Sequence, residues 1–189
     1  KRNVRTLIDL IRVNLVKTVK DALVMADQYG LDLKDNEVNI AMKAIKWGIK
    51  NTEIIDFTDM IYFPIILDLT MPKFDFVFID ECQDLHAAQR ELFLKCLNPK
   101  GRFIAVGDPK QAIYGFAGAD AESFEILKNL PNTKSLPLSV CYRCDSDIVE
   151  LASKLVPQIT SKPGAEKGIV NFQDSIDNVL EGDMVLCRI

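Results

Sequence analysis

Apolar residues recur at three- and four-residue steps through the first fifty positions. Val4, Leu7, Ile8, Ile11, Leu15, Val19 and Leu23 mark one face of a helix over residues 1–29, with Gly30 as its stop. Val38, Ala41, Met42, Ile45 and Ile49 mark the inner face of a second helix, capped by Asp35 or Asn36. Trp47, the only tryptophan, reads as a packing residue. Arg5, Arg12, Lys17 and Lys20 lie mostly off the first apolar face and read as a solvated surface. Residues 51–69 predict a third helix, starting near Thr52 or Asp56 and bent or ended by Pro64.

After the turn Met71-Pro72-Lys73 the pattern changes. Phe74–Ile79 is a short apolar run rich in Phe, Val and Ile, which predicts a strand buried on both faces. It ends abruptly in Asp80, Glu81, Gln83 and Asp84, with Cys82 among them. Ala88, Leu92, Phe93, Cys96 and Leu97 then have helical spacing, with Asp84 placed to cap that helix. Asn98–Gly101 is a turn, and Arg102–Asp108 predicts a second strand ending in Gly-Asp. Strand, helix and strand over this span make a βαβ unit and a parallel sheet. A helix over 121–130 follows, ended by Pro131. A strand over 135–139 leads into Val140–Arg143, and a helix runs over 145–156. Residues 161–164 form a linker-like turn. Two further strands, Ile169–Phe172 and Asp183–Arg188, flank a helix over 176–180.

Composition narrows the classes. The chain has 189 residues, 48% of them hydrophobic, enough to bury a core. A formal net charge of −4 gives no global basic footprint, so contact with nucleic acid needs a local groove. Five cysteines and one histidine make neither a zinc set nor a secreted disulfide framework, which fits a reducing, cytoplasmic setting. There is no apolar run long enough to span a membrane and no signal-like leader. The start at Lys1 and the finish on a strand-like Arg188-Ile189 are read as marks of a fragment.

Asp80 and Glu81 carry the candidate chemistry. They are adjacent at a strand's carboxyl end, the side of an open α/β sheet where ligands bind. Side chains of neighbouring residues point apart there, so one can hold a metal while the other faces a nucleophile, as magnesium-assisted phosphate chemistry asks. His86 has no partner at ligand spacing and reads as a surface position at a helix start. Cys141 and Cys144 form a lone CxxC without a second pair, so a zinc knuckle is disfavoured and a thioredoxin-like site is weak. Tyr114 and Phe116, on either side of Gly115 in a loop with a second glycine at Gly118, could stack on bases, but on composition alone they pack beneath their loop.

Three motifs now line up in order. Asp80-Glu81-Cys82-Gln83-Asp84 resembles the Walker B motif (motif II) of the UvrD/Rep family of superfamily 1 DNA helicases. Val106-Gly107-Asp108-Pro109-Lys110-Gln111-Ala112-Ile113-Tyr114-Gly115-Phe116 resembles its motif III, and Tyr142-Arg143 after Leu136–Ser139 its motif IV. Ile55–Met60 is similar to a segment that precedes motif II. The set covers roughly residues 53–150, and the motif III run is its most specific part.

The resemblance implies an α/β fold: part of a RecA-like P-loop NTPase domain with a parallel sheet. Residues 1–52 would be a helical subdomain inserted in that first domain, 53–138 its later part, and 139–189 the start of a second RecA-like domain. It implies ATP and Mg²⁺ as cofactors, with Asp80 on the metal, Glu81 as general base, Gln111 as γ-phosphate sensor and Arg143 as an arginine finger. Tyr142 would stack on adenine, and Tyr114 and Phe116 on single-stranded DNA. The implied partners are single-stranded DNA and duplex junctions, with no membrane. The implied parent is a cytoplasmic DNA-repair type helicase coupling ATP hydrolysis at a cleft between two RecA-like domains to translocation and unwinding.

The departures are specific. Ala117 stands where the family usually has arginine, and Leu85 where threonine is common. No G-x-x-x-x-G-K-[ST] phosphate loop occurs in these residues, nor motifs V and VI. The fragment is therefore expected to be inactive alone. The alternatives are a helicase-like binding scaffold without turnover, and the motor part of a helicase–nuclease.

Overall fold

The computed structural model describes residues 1–113, 122–172 and 179–186, which form two compact units, Lys1–Lys134 and Ser135–Ile189. The first unit opens with four helices, α1 (Arg2–Val13), α2 (Val19–Gln28), α3 (Asp35–Lys50) and α4 (Phe57–Ile66). The single helix expected over residues 1–29 is thus two. Leu15 takes a left-handed φ of 55°, and Thr18 starts α2 by accepting the Asp21 N–H at 3.1 Å. That cap satisfies a free N–H group at the start of α2. Gly30, at φ 59°, ends α2 as expected.

Leu7, Ile11, Ala22, Val38 and Ala41 are fully buried, and Tyr62 and Phe63 of α4 close the same core. Trp47 is not part of it. At 67% exposed it lies on the outer side of α3, two residues beyond the inward Ile45, and does not pack as expected. Lys34, not Asp35 or Asn36, is the N-cap of α3, and its N–H is taken by Glu37 Oε2 at 2.9 Å. Asp56 caps α4, paired with Asp59 in a reciprocal capping box. Pro64 is accommodated inside α4, which ends two residues later.

Arg12 does not join the solvated surface of Arg5, Lys17 and Lys20. It is buried and bound by three carboxylates. Its guanidinium donates to Asp56 through both Nη atoms (3.0 and 2.9 Å), to Asp59 at 2.7 Å and to Asp9 at 2.5 Å. One side chain of α1 thereby holds both acids of the α4 capping box. Burial opposes the charge on Arg12, but the bonds to Asp56, Asp59 and Asp9 outweigh it, and its pKa is raised.

β1 (Phe74–Ile79) pairs in parallel with β2 (Leu97–Ala105), with α5 (Ala87–Cys96) as the crossover. The register runs from Phe76↔Arg102 to Ile79↔Ala105, and the predicted turn at Asn98–Gly101 is a bulge in β2 after Phe74↔Leu97. β1 is not buried on both faces. Ile79 packs with Cys82, Leu85 and Leu127, whereas Phe74, Phe76 and Phe78 are 51%, 56% and 71% exposed. The sheet has two strands among the described residues, so α5 and α6 (Ser123–Lys128) cover only one side. His86, not Asp84, caps α5: Nδ1 accepts the Gln89 N–H at 3.1 Å, and Gln89 Oε1 accepts the His86 N–H at 3.2 Å. His86 is half-buried rather than on the surface. Burial lowers its pKa, against the opposing pull of the Val13 carbonyl.

In the second unit, β3 (Val140–Cys141) pairs in parallel with β4 (Thr160–Ser161), and α7 (Ser146–Ser153) lies between them in sequence. Val149 is its buried anchor. The strand begins at Val140 rather than Ser135, and Leu136 and Leu138 are exposed. Ile169–Phe172 and the described part of 183–188 are not strands, and 176–178 lie outside the described residues.

Replacing Arg12 by Ala leaves three clustered carboxylates without their counter-charge. We expect a loss of about 3 kcal/mol in urea unfolding. Asp9→Asn, at a half-exposed position, should cost less than about 1 kcal/mol. Burial raises the Asp56 carboxyl, but the bonds from Arg12 and the Asp59 N–H prevail and hold it below its ordinary 3.8. Its contribution is therefore full above that value and is lost as pH falls through the folded-state pKa. That acid loss should shrink in Arg12→Ala; a wild-type urea midpoint in that variant would contradict the cluster's role.

Candidate functional site

The parallel pairing of β1 and β2 puts two chain reversals side by side at the carboxyl ends of the strands. Val106 N–H donates to the Ile79 carbonyl at 2.8 Å, and Cys82 N–H donates to the Val106 carbonyl at 2.9 Å. Pairing thus continues past the last strand residues and locks Asp80–Cys82 against Val106–Asp108. Glu81 turns the chain with φ 49° and ψ 46°, a left-handed conformation that costs a non-glycine residue energy and is kept only where the surroundings dictate it. The turn starts a short 3₁₀ segment, Cys82–Asp84.

Asp80 and Glu81 are both exposed at this edge. Asp80 Oδ1 accepts the Glu81 N–H at 3.0 Å. Two carboxylates at a strand end offer hard oxygen donors of the kind a magnesium ion takes, with water and phosphate oxygens completing its shell. The residues fit such an ion. Among the described residues no group of three or more His, Cys, Asp or Glu gathers to hold a metal unaided.

Behind the acids sits Gln83, only 3% exposed. Its Nε2 donates to Glu81 Oε2 at 2.9 Å and to Asp84 Oδ2 at 3.2 Å. Its Oε1 accepts the Asp108 N–H at 3.0 Å. Asp108 in turn opens the 3₁₀ turn Pro109–Gln111: Oδ1 accepts the Lys110 N–H at 2.9 Å and Oδ2 accepts from Gln111 Nε2 at 2.8 Å. Glu81 and Gln111, singled out from the sequence, are therefore brought into one hydrogen-bonded chain. Cys82 fills the space beneath, 2% exposed, and burial pushes its thiol pKa up.

Gly107 is the point of closest approach. A Cβ placed on it falls 2.5 Å from Gln83 Oε1, 2.7 Å from Cys82 Sγ and 3.1 Å from Cys82 N. Any side chain there would push the two turns apart. Gln83, Asp108 and Gly107 received no role from the sequence. The available signal was a glutamine inside an acidic run, and a Gly-Asp pair at the matching end of the next strand.

Tyr142 and Arg143 are exposed in the loop between β3 and α7 of the second unit. They are flanked by Cys141 and Cys144, both free thiols. Tyr114 and Phe116 lie outside the described residues. No helix among the described residues is long and apolar enough to cross a membrane.

Two acids and a glutamine-bearing turn stand at adjoining parallel-strand ends of an α/β chain. The family model for the UvrD/REP helicase N-terminal domain matches residues 8–132, and the chain belongs to the UvrD/Rep helicase family. It is 32% identical over 123 residues to the ATP-dependent DNA helicase Rep of Buchnera aphidicola (Schizaphis graminum), covering 60% of this chain and 19% of that protein. It is 30% identical over 154 residues to the ATP-dependent DNA helicase PcrA of Staphylococcus epidermidis, covering 76% of this chain and 20% of that one. Rep of Escherichia coli is 29% identical over 117 residues, covering 57% and 17%. The chain thus spans about a fifth of the length of these relatives.

Gly107→Ala should force Gln83 and the Cys82 thiol from their places and destabilise the first unit by about 1–3 kcal/mol, the usual range for overpacking. Urea unfolding of the chain measures it. An unchanged midpoint would show that the two turns have slack the geometry does not reveal.

Proposed function

We propose that the chain is the later part of the first RecA-like motor domain, with its helical subdomain, and the start of the second, of an ATP-dependent DNA helicase. The observation that carries this is the hydrogen-bonded path from Glu81 through Gln83 and Asp108 to Gln111. It joins the motif II acids to the motif III glutamine at adjoining strand ends. Relatives named as ATP-dependent DNA helicases support ATP and DNA as ligands.

In this reading Asp80 holds the magnesium ion through its carboxylate, directly or through water. The ion, when bound, supplies positive charge to the phosphate oxygens. Glu81 accepts a hydrogen bond from the attacking water and takes its proton as the water oxygen bonds to the γ-phosphorus and the bond from that phosphorus to the bridging oxygen breaks, releasing ADP. Gln111 donates to the γ-phosphate. Arg143 stabilises charge on the transferring group and Tyr142 stacks on adenine. Tyr114 and Phe116 stack on single-stranded DNA, a contact that tolerates any base. The motif III turn would then link phosphate sensing to grip on the strand.

The sequence contains no G-x-x-x-x-G-K-[ST] loop, so the amides and lysine that cradle phosphates are not among these residues. The alternative reading is a helicase-like scaffold that binds without turnover. The selective arrangement of Glu81, Gln83 and Gln111 favours the motor.

The 189-residue chain alone is expected to hydrolyse ATP at no more than background rate. In the full-length protein that carries it, Glu81→Gln should abolish DNA-stimulated hydrolysis and leave nucleotide binding within a few-fold of wild type, read by phosphate release and by equilibrium titration. Wild-type turnover in Glu81→Gln would remove Glu81 as the base. Absence of turnover in the full-length wild-type protein would favour the scaffold.

A further inference from the structure

We propose that Gln83 is a positioning residue that fixes the Glu81 carboxylate to the Asp108–Gln111 turn, so that the base is oriented only while that turn is in place. The proposal rests on the roles given above to Glu81 and Gln111. Gln83 itself touches neither nucleotide nor water in that scheme, being buried behind the acids.

The chemistry of a primary amide explains the residue type. Both Nε2 hydrogens are used, on Glu81 Oε2 and Asp84 Oδ2, and Oε1 is used by the Asp108 N–H. The amide cannot be turned over. A flip would set Oε1 against two carboxylates and Nε2 against a backbone N–H, and would lose all three bonds. A glutamate in its place would accept from Asp108 but would put a third negative charge against Glu81 and Asp84. An asparagine is one carbon shorter and cannot span both turns.

The surroundings leave the amide no other position. Gly107 approaches Gln83 Oε1 so closely that even a methyl group is excluded, and Cys82 packs below. A displacement of Gln111 acts on Asp108 Oδ2, and the Asp108 backbone acts on Gln83 Oε1. The same rigid amide then moves against Glu81 Oε2. Gln83 is buried, so water does not compete freely at its amide, whereas the outer bond between Asp108 and Gln111 is exposed. The device makes hydrolysis conditional on the state of the turn.

The test uses Gln83→Leu and Gln83→Glu in the full-length protein with single-stranded DNA, beside amide hydrogen exchange on the 189-residue chain. Gln83→Leu should lower kcat about tenfold or more, as loss of orientation does, with KM for ATP little changed. It should also speed exchange of the Asp108 amide. Gln83→Glu keeps the acceptor for Asp108, so that amide stays protected, yet kcat falls as in Gln83→Leu because both donors are gone. A purely packing role would instead leave exchange of the Asp108 amide unchanged in Gln83→Leu. Wild-type kcat in either variant, or unaltered Asp108 exchange in Gln83→Leu, overturns the proposal. Glu81→Gln separates the two levels: if it is inactive while the Gln83 variants turn over normally, the link fails and the base stands. If Glu81→Gln is fully active, the base assignment fails, and the exchange comparison still decides the link.

Discussion

The site depends on parallel pairing that outlasts the strands. The ladder between β1 and β2 ends at Ile79↔Ala105, yet two more backbone bonds carry the pairing on through Val106 and Cys82. Without them the Asp80–Asp84 and Gly107–Gln111 segments would be independent loops, free to solvate their own polar groups. With them, Gln83 is drawn into a space where every polar contact must be made within the protein. Buried amides left unpaired are costly, so the cheapest arrangement is the one that bonds all three arms of Gln83. The left-handed backbone of Glu81 follows from the same constraint. Its cost of about 1–3 kcal/mol is tolerable only because strand pairing on one side and Gln83 on the other specify the turn.

The helical part relies on a different kind of interaction. Arg12 is charged, buried and bonded to acids from its own helix and from the α4 cap. Burying a guanidinium is unfavourable unless the geometry is good, and the contact to Asp56 through both Nη atoms supplies that geometry. The Arg12 cluster ties α4 to α1, since Asp56 and Asp59 must face α1 while also capping α4. His86 makes a second tie of this sort, capping α5 while the Val13 carbonyl at the end of α1 acts on its ring. These contacts place the helices relative to the segment that leads into β1.

Much of this was legible in the sequence where the signal is local and periodic. The inner face of α3, the crossover between two parallel strands and the acids at a strand end follow from spacing alone. So does Gly30 as a helix stop. What escaped was decided by partners distant in sequence. Arg12 looks like any solvated arginine until Asp56 and Asp59, some 44 and 47 residues away, are seen around it. Asp84 had the right chemistry to cap α5, but its carboxylate is engaged by Gln83, and His86 sits at the proper distance from Gln89 instead. The break before α2 was announced by Thr18 and Asp21, and the continuous apolar spacing across it masked that signal. β1 read as buried on both faces because its composition does not say how many neighbours cover it.

The Phe74, Phe76 and Phe78 row and the Gln83 hub are two consequences of one strand. Alternate residues of β1 point to opposite sides, so Ile79 anchors the side covered by Cys82, Leu85 and Leu127 while the phenylalanines share the other. The covered side supplies the rigid floor on which Gln83 and Gly107 meet. A site edge built on a packed half-sheet can hold Glu81 and Gln111 in register even though both carry their working groups into solvent. Gln111 is anchored through Asp108, and Asp108 through the buried Gln83. The exposed ends of the site are thus as well placed as its buried centre allows, and the chemistry proposed for them depends on an amide that never reaches the surface.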